Sequence, residues 1–408
     1  MHTHTGNTGL LMEKIELKNV CKIFGDHPKK ALSMLKEGKG KDEVQAKTGS
    51  VVGVNDVSFT VSQGEIVVVM GLSGSGKSTL VRCINRLFEP TSGEIIVDGQ
   101  DVRKLNRDQL RQFRREKFGM VFQNFALFPH RTVVNNVEFG LEIQNADKTQ
   151  RREKADKALE LVGLKGWGDK FPSELSGGMQ QRVGLARALA LDPDILLMDE
   201  AFSALDPLIR RDMQDELISL QQSMRKTIVF ISHDLDEALK LGDRIVLMKD
   251  GAVVQIGTPE DILMNPSNEY VAKFVEEVDI TKVLTAESIM KKSQDVAYLT
   301  ADGPRAAMRK MKNNAIASLF VLDKEGKIHG IVFADEVAKL IERGEKSLES
   351  AIVKDIATVT PDTPASELFA LMQGISHPVA VVDENQKLKG IIVKGLLMAA
   401  IAERGGNL

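Results

Sequence analysis

At 408 residues, with 43% hydrophobic and 27% charged side chains and a formal net charge of −3, the chain has room for two or three domains of ordinary globular composition. That balance excludes a nucleic-acid binder relying on a large positive field, and no run of about 18 apolar residues is present to span a bilayer. Two cysteines, Cys21 and Cys83, lack metal-type spacing, which points away from a disulfide scaffold or zinc site and towards a reducing cytosol.

The leader, residues 1–12, lacks the basic-then-apolar layout of a signal peptide, and its His2 and His4 read as part of a polar, disordered leader. Ile15–Asn19 and Val57–Val61 read as strands around an insert, Gly25–Gly53, rich in Lys and Glu with a helical stretch at Lys30–Lys36. The apolar run Ile66–Met70 leads into a glycine-rich loop and then a helix. Ile195–Met198 and Thr227–Ile231 are apolar throughout, as parallel strands covered on both faces require. Asp243–Gly257, with its turn at Lys249–Gly251, reads as a closing hairpin. Strands separated by helical patterns predict an α/β core with a largely parallel sheet.

Beyond residue 280 the pattern changes to an internal repeat with a period of 60 residues. Asp295–Phe333 aligns without gaps on Asp355–Val393: Thr300 falls on Thr360, Asp302 on Asp362, Pro304 on Pro364, Asp323 on Asp383, Lys327 on Lys387 and Gly330 on Gly390. Each unit reads strand, helix (Pro304–Lys312; Pro364–Met372), strand (Ser318–Leu322; Pro378–Val382), turn, strand. The C-terminal third is a duplicated small α/β module.

Three motifs carry chemistry. Gly71-Leu72-Ser73-Gly74-Ser75-Gly76-Lys77-Ser78, with Thr79 following, stands between a strand and a helix, as a phosphate-binding loop does. Its glycines let the backbone N–H groups curl around a phosphate, and the helix N-terminus adds a positive dipole end. Lys77 would reach the β- and γ-phosphates of ATP, and the Ser78 hydroxyl would ligand Mg²⁺. In Ile195-Leu196-Leu197-Met198-Asp199-Glu200 the first acid can hold the magnesium through water, and Glu200 can polarise the attacking water as general base. Leu175-Ser176-Gly177-Gly178-Met179-Gln180-Gln181 offers a second anion site, a serine and glycine amides at a helix start.

That last stretch resembles the signature of ABC ATPases, with Met179 where Gln is commoner, and the resemblance covers residues 13–260. It implies a P-loop ABC ATPase domain, with a RecA-like core, an antiparallel β subdomain and a helical subdomain, over residues 13–265. Ser176, Gly177, Gly178 and Gln180 would cover the γ-phosphate held by a neighbouring copy's Lys77 loop, so two chains would dimerise head to tail. The resemblance further implies that Gln123 touches Mg²⁺ and the water while linking to the membrane partner, and that Asp206, in Ser203-Ala204-Leu205-Asp206, couples the two sites. By the same resemblance His233 contacts the γ-phosphate and Phe24 stacks on adenine. Without it, His233 reads as a packed or capping histidine and Phe24 as core.

A narrower resemblance lies in the insert, in Pro28-Lys29-Lys30-Ala31-Leu32, Lys41-Asp42-Glu43, Thr48-Gly49 and Val52-Gly53-Val54, and in Phe125–Val133. These are similar to the ATPase subunits of glycine betaine/proline betaine importers. The implied partners are a second copy, membrane permease subunits that meet Phe125–Val133, and a substrate-binding protein or domain, at the cytoplasmic face of the membrane. Another small polar solute, such as an amino acid or choline, remains the alternative cargo. Nucleic acid is not an expected partner: only 99 residues separate Lys77 from Ser176, too few for the long coiled coil of DNA-repair relatives, and one cassette is present where translation factors carry two.

The 60-residue repeat resembles a tandem of cystathionine-β-synthase-type (CBS) modules, expected at 284–345 and 346–408 after a linker at 266–283. Such modules commonly end in Gly-apolar-apolar-Thr-x-x-Asp. Here Gly330–Glu336 and Gly390–Leu396 both lack the Thr and the Asp, which argues against AMP or ATP in the tandem. Two regulatory readings follow from the resemblance. Lys324, Lys327, Lys387 and Lys389, at equivalent turns, would form a basic face against anionic lipid, weakened by salt over a Debye length of about 8 Å. Alternatively, cyclic di-AMP would be held between paired tandems, near Tyr298, Ile375, His377 and Pro378.

Overall fold

The structure, a computed structural model, describes residues 12–123, 125–276, 284–292, 295–375 and 377–402. Most of the leader and part of the expected linker, 277–283, lie outside the described residues. The chain divides into two compact units, Met1–Val278 and Asp279–Leu408.

In the first unit, β1 (Glu13–Phe24), β2 (Val51–Ser62), β4 (Ser92–Val97) and β5 (Gln100–Asp101) form an antiparallel sheet in the order β2-β1-β4-β5. The second sheet contains β3 (Ile66–Met70), β6 (Phe118–Phe122), β7 (Ile195–Asp199), β8 (Thr227–Ser232), β9 (Arg244–Lys249) and β10 (Ala252–Gly257), in the order β10-β9-β3-β8-β7-β6. Its strands run parallel except β10, which closes the expected hairpin on β9. The all-apolar runs are explained by two cores. Val68, Met70, Leu196, Met198, Ile228 and Phe230 enter one, and the alternating Val67, Val69, Ile195, Leu197, Val229 and Ile231 enter the other. Strand period sends neighbours to opposite faces, and here both faces are covered.

Helices Val133–Ile143, Lys148–Leu161 and Gly177–Leu189 build the helical segment and contribute Val137, Leu159 and Leu185 to the first core. The insert holds two helices, Pro28–Lys36 and Lys41–Thr48, where the pattern predicted one, with a small core of Ile23, Ala31, Val44 and Val52. Its second helix lacks an amphipathic signal because only Val44 is buried. Helix Glu269–Val275 falls in the stretch expected as linker, yet Val271 is fully buried in the first core.

The second unit holds two sheets of the same topology. In one, β11 (Val296–Tyr298) is parallel to β12 (Ser318–Leu322), which is antiparallel to β13 (Ile328–Phe333). In the other, β14 (Thr358–Val359), β15 (Val379–Val382) and β16 (Leu388–Ile392) repeat that order. Each repeat also ends in a helix, Ala334–Glu342 and Lys394–Ala402. The repeats exchange edges. Lys291, ahead of the first sheet, bonds both ways with Ile391 at 3.0 Å, while Val353 bonds with Ile331 of the other repeat at 2.9 and 3.0 Å. Phe320 and Ile331 share a core with Ala380 and Val382. Among the described residues no helix is long and apolar enough to cross a membrane.

Candidate active site

The phosphate loop leaves β3 at Gly71 and enters helix Lys77–Ile84. Gly71 and Gly76 lie at φ 145 and 97, and a Cβ on either would come within 2.1 Å of a carbonyl oxygen, that of Met248 or of Gly53. Only glycine closes the loop here. Gly251, in the β9–β10 turn, braces it from outside by donating its amide to the Ser75 carbonyl at 3.1 Å. Ser73 and Gly74 are exposed on the loop, and Thr79 sets its methyl group against Gly53.

Lys77 Nζ donates to the carbonyls of Gly71 and Leu72 at 2.8 and 3.1 Å. Burial pushes its pKa below the ordinary lysine value, opposed by the charges of Glu200 and Asp199. The buried Ser75 hydroxyl has no hydrogen-bond partner among the described residues. A desolvated ammonium, an orphaned hydroxyl and a cradle that admits no Cβ fit a polyphosphate.

The parallel sheet converges the rest on one edge, because β6, β7 and β8 are neighbours whose carboxyl ends point the same way. Ser78 Oγ donates to Asp199 Oδ1 at 2.9 Å, and Arg82 lies 3.4 Å from Oδ2. Paired hard oxygen donors of this kind suit Mg²⁺. Glu200 follows β7 at φ 47, a left-handed backbone that disfavours a side chain. The turn is held by its amide on Ile231 O at 3.2 Å and by Ser203 Oγ on its carbonyl at 2.9 Å. This bend aims Glu200 at the residues from both neighbouring strands. Gln123 Nε2 donates to Glu200 Oε2 at 3.2 Å, and His233 Nδ1 lies 3.2 Å from the same oxygen. The backbone strain at Glu200 carried no sequence signal.

Ser176 caps helix Gly177–Leu189, accepting from Met179 N at 3.4 Å. Gly178 sits so near the following helix that a Cβ would meet Ile209 at 2.5 Å. Gln180 turns inward: its amide donates to Pro172 O and Leu175 O, at 3.1 and 3.2 Å, and so shapes the loop ahead of Ser176. Among the described residues no hydrogen bond joins Ser176, Gly177 or Gly178 to this chain's own phosphate loop. Asp206 caps helix Pro207–Met224 through Ile209 N. Phe24 meets Phe88 edge-on at 5.3 Å and carries Lys22 Nζ 4.8 Å over its ring, beside Gly53, where a Cβ would lie 2.9 Å from the ring.

In the second unit the expected regulatory residues lie in separate surroundings within one chain. A cavity of 830 Å³ is lined by Lys291, Lys292, Asn314, Ser318 and Phe320 among others, and of the expected four only Pro378 lines it. His377 Nδ1 lies 2.9 Å from Pro378 O, its ring 6.1 Å from Phe333, while Ile375 is half-buried. Tyr298 pairs with Asp302 through its amide and with Lys310 above its ring. The cavity's lysines were not legible, because they come from the segment exchanged between repeats. Two of the four turn lysines carry acids beside them: Lys327 lies 3.4 Å from Glu325, and Lys389 3.4 Å from Asp383. Acids therefore stand among the lysines of the expected basic face.

Fold and site together define an ATP-hydrolysing subunit of the ATP-binding-cassette class. The ABC transporter family profile matches residues 54–203, and the CBS domain profile matches 286–343 and 348–403. The dimeric ATP-binding cassette MJ0796, solved in a post-hydrolysis state bound to ADP and Pi, superposes with a TM-score of 0.51 at 34% identity, over 60% of this chain and 98% of that one.

The chain belongs to the glycine betaine transport ATP-binding family of ABC proteins. It is 57% identical over 389 residues to the glycine betaine transport ATP-binding protein OpuAA of Bacillus subtilis, covering 95% of this chain and 92% of that one. Identity to the glycine betaine/carnitine transport ATP-binding protein GbuA of Listeria monocytogenes is 54%, over 97% and 100% of the two chains. To the glycine betaine/proline betaine protein ProV of Escherichia coli it is 48%, over 97% and 99%.

Proposed function

We propose that this subunit hydrolyses ATP to drive uptake of glycine betaine or a related quaternary-ammonium osmolyte, working as a head-to-tail dimer on permease subunits at the cytoplasmic face of the membrane. The observation that carries the hydrolytic part is the convergence of Gln123 and His233 on one oxygen of Glu200, next to the Ser78–Asp199 pair. Glu200 acts as the base that orients and deprotonates the attacking water, and Gln123 and His233 hold its carboxylate and report on the γ-phosphate. Lys77 and the loop amides take the phosphates, Phe24 the adenine, and Ser176, Gly177 and Gly178 the γ-phosphate of the partner copy's nucleotide. Ser78, Gln123 and, through water, Asp199 would hold Mg²⁺, which supplies charge neutralisation at the β- and γ-phosphates.

Two tests address this reading. Glu200→Gln should abolish turnover while ATP stays bound and the dimer closed, and undiminished turnover would end it. Disrupting the gene should abolish accumulation of labelled glycine betaine at high osmolarity, and unchanged accumulation would redirect the search to choline or an amino acid.

The tandem is the regulatory part of the proposal. The cavity lined by Lys291 and Lys292, with one acid, Asp295, that accepts from Asn314, favours a small anionic ligand such as cyclic di-AMP over a lipid surface, since Lys327 and Lys389 already carry acids beside them. Calorimetry with cyclic di-AMP should give saturable heat that Lys291→Ala and Lys292→Ala weaken. Absence of heat, with a salt threshold moved by neutralising Lys324, Lys327, Lys387 and Lys389, would transfer the role to ionic strength.

A further inference from the structure

Phe125 and Ala126 are consecutive non-glycine residues in the left-handed region, at φ 53 and 50. A Cβ makes that region unfavourable, so two in succession need an external hold. Arg187 supplies it. Its Nη1 donates to Ala126 O at 2.6 Å and its Nη2 to Phe125 O at 3.0 Å. Burial pushes the Arg187 pKa below the ordinary arginine value, and among the described residues the two carbonyls are the partners that compensate its desolvation. The end of the Phe125 ring lies against the start of the same helix, where a Cβ on Gly177 would be 3.8 Å away. Gln123 stands two residues before this bend, with its amide on Glu200.

We propose that Arg187 is a positioning residue for hydrolysis: by holding the Phe125–Ala126 bend it keeps Gln123 on Glu200, and it ties that placement to the helix that presents Ser176 and Gly177 to the partner copy's nucleotide. The inference rests on the ATPase reading above. A left-handed helical residue advances the chain about 1.5 Å and an extended one about 3.3 Å, so returning two residues to extended chain moves their neighbours by about 1.8 Å per residue. The Gln123 hydrogen bond tolerates only about half an ångström. Motion of the helix that starts at Gly177 therefore reaches Gln123 through the Arg187 guanidinium, beside the Phe125 ring contact, without passing through the phosphate loop.

The test uses steady-state ATP hydrolysis by the full-length chain as wild type, R187Q, A126V, R187Q/A126G and E200Q. R187Q should lower kcat about tenfold with KM for ATP within about twofold, since no phosphate contact is touched. Ala126 is exposed, so A126V leaves packing intact while a β-branched side chain resists positive φ, and it should lower kcat about fivefold. Adding A126G to R187Q should restore kcat about threefold, because glycine keeps the bend without a clamp. A packing role for Arg187 would show no such rescue. Unchanged kcat in R187Q and A126V, or no rescue by A126G, overturns the proposal while an inactive E200Q keeps the ATPase reading in place. Turnover persisting in E200Q removes that reading instead. If R187Q does not fold, A126V decides alone, and wild-type kcat there overturns the proposal.

Discussion

Lys77 is an ammonium surrounded by its own loop's carbonyls and little water, which makes it costly for the folded chain and useful for a triphosphate. Its folded pKa lies below the ordinary 10.5, so the penalty is in force at neutral pH and fades as pH rises towards 10.5. Lys77→Met should therefore leave the chain alone at least as stable as wild type at pH 7, with the difference shrinking in alkali, while the rise in melting temperature caused by ATP disappears. Thermal scans with and without ATP check both; a destabilised variant that still responds to ATP would contradict the account. Gly76→Ala tests the cradle itself. With φ at 97 and Gly53 O only 2.1 Å from the new Cβ, the loop cannot close, and equilibrium dialysis should find ATP affinity lowered at least about a hundredfold.

Between strand and loop, the segment carrying His233 is anchored by a buried acid. Glu237 accepts from Ser232 Oγ at 2.5 Å and from Gln214 Nε2 at 3.1 Å, and burial raises its pKa above the ordinary glutamate value. The contribution of such a group is present below pH 4.5 and is lost as pH rises through the raised folded value. Glu237→Gln should flatten the fall in stability across that window and leave kcat within about twofold, since Gln keeps an acceptor for Ser232. Urea denaturation at pH 5 and pH 8 reads the difference, and identical slopes of stability against pH would refute it. Helix Arg107–Lys117 offers a contrast remote from the nucleotide. Asn106 caps it in a reciprocal box with Gln109. Asn106→Ala should cost about 1 kcal/mol in urea denaturation with KM for ATP unchanged.

The exchange of edges between the repeats makes the tandem one folding unit. Lys291 pairs with Ile391 of the second repeat, Val353 with Ile331 of the first, and Leu348 and Ala351 complete the first repeat's core beside Leu319 and Val332. Cutting between the expected modules strips each of an edge and part of its core. Expressed alone, residues 284–345 should show no cooperative thermal transition, whereas residues 279–408 should unfold in a single one. A sharp transition in the shorter fragment would mean that the exchanged segments contribute little.

Motifs whose chemistry is local in the chain were legible from the residues: the phosphate loop, the Asp199–Glu200 pair, the Ser176–Gly178 helix start and the 60-residue duplication. Each depends on a spacing of a few residues or on self-similarity, which folding does not alter. Resemblance supplied Gln123 and His233, since nothing local marks a lone Gln or His. Long-range packing determined the remainder. Sheet order brings β6, β7 and β8 side by side and so places both residues on one oxygen of a strained Glu200. The same kind of packing buries Val271 of the supposed linker, sets Arg187 on two carbonyls 61 and 62 residues away, and pairs Lys291 with the opposite repeat. Strand adjacency and edge pairing join residues far apart in the chain, and a single sequence records which residues can pair but not which strands become neighbours.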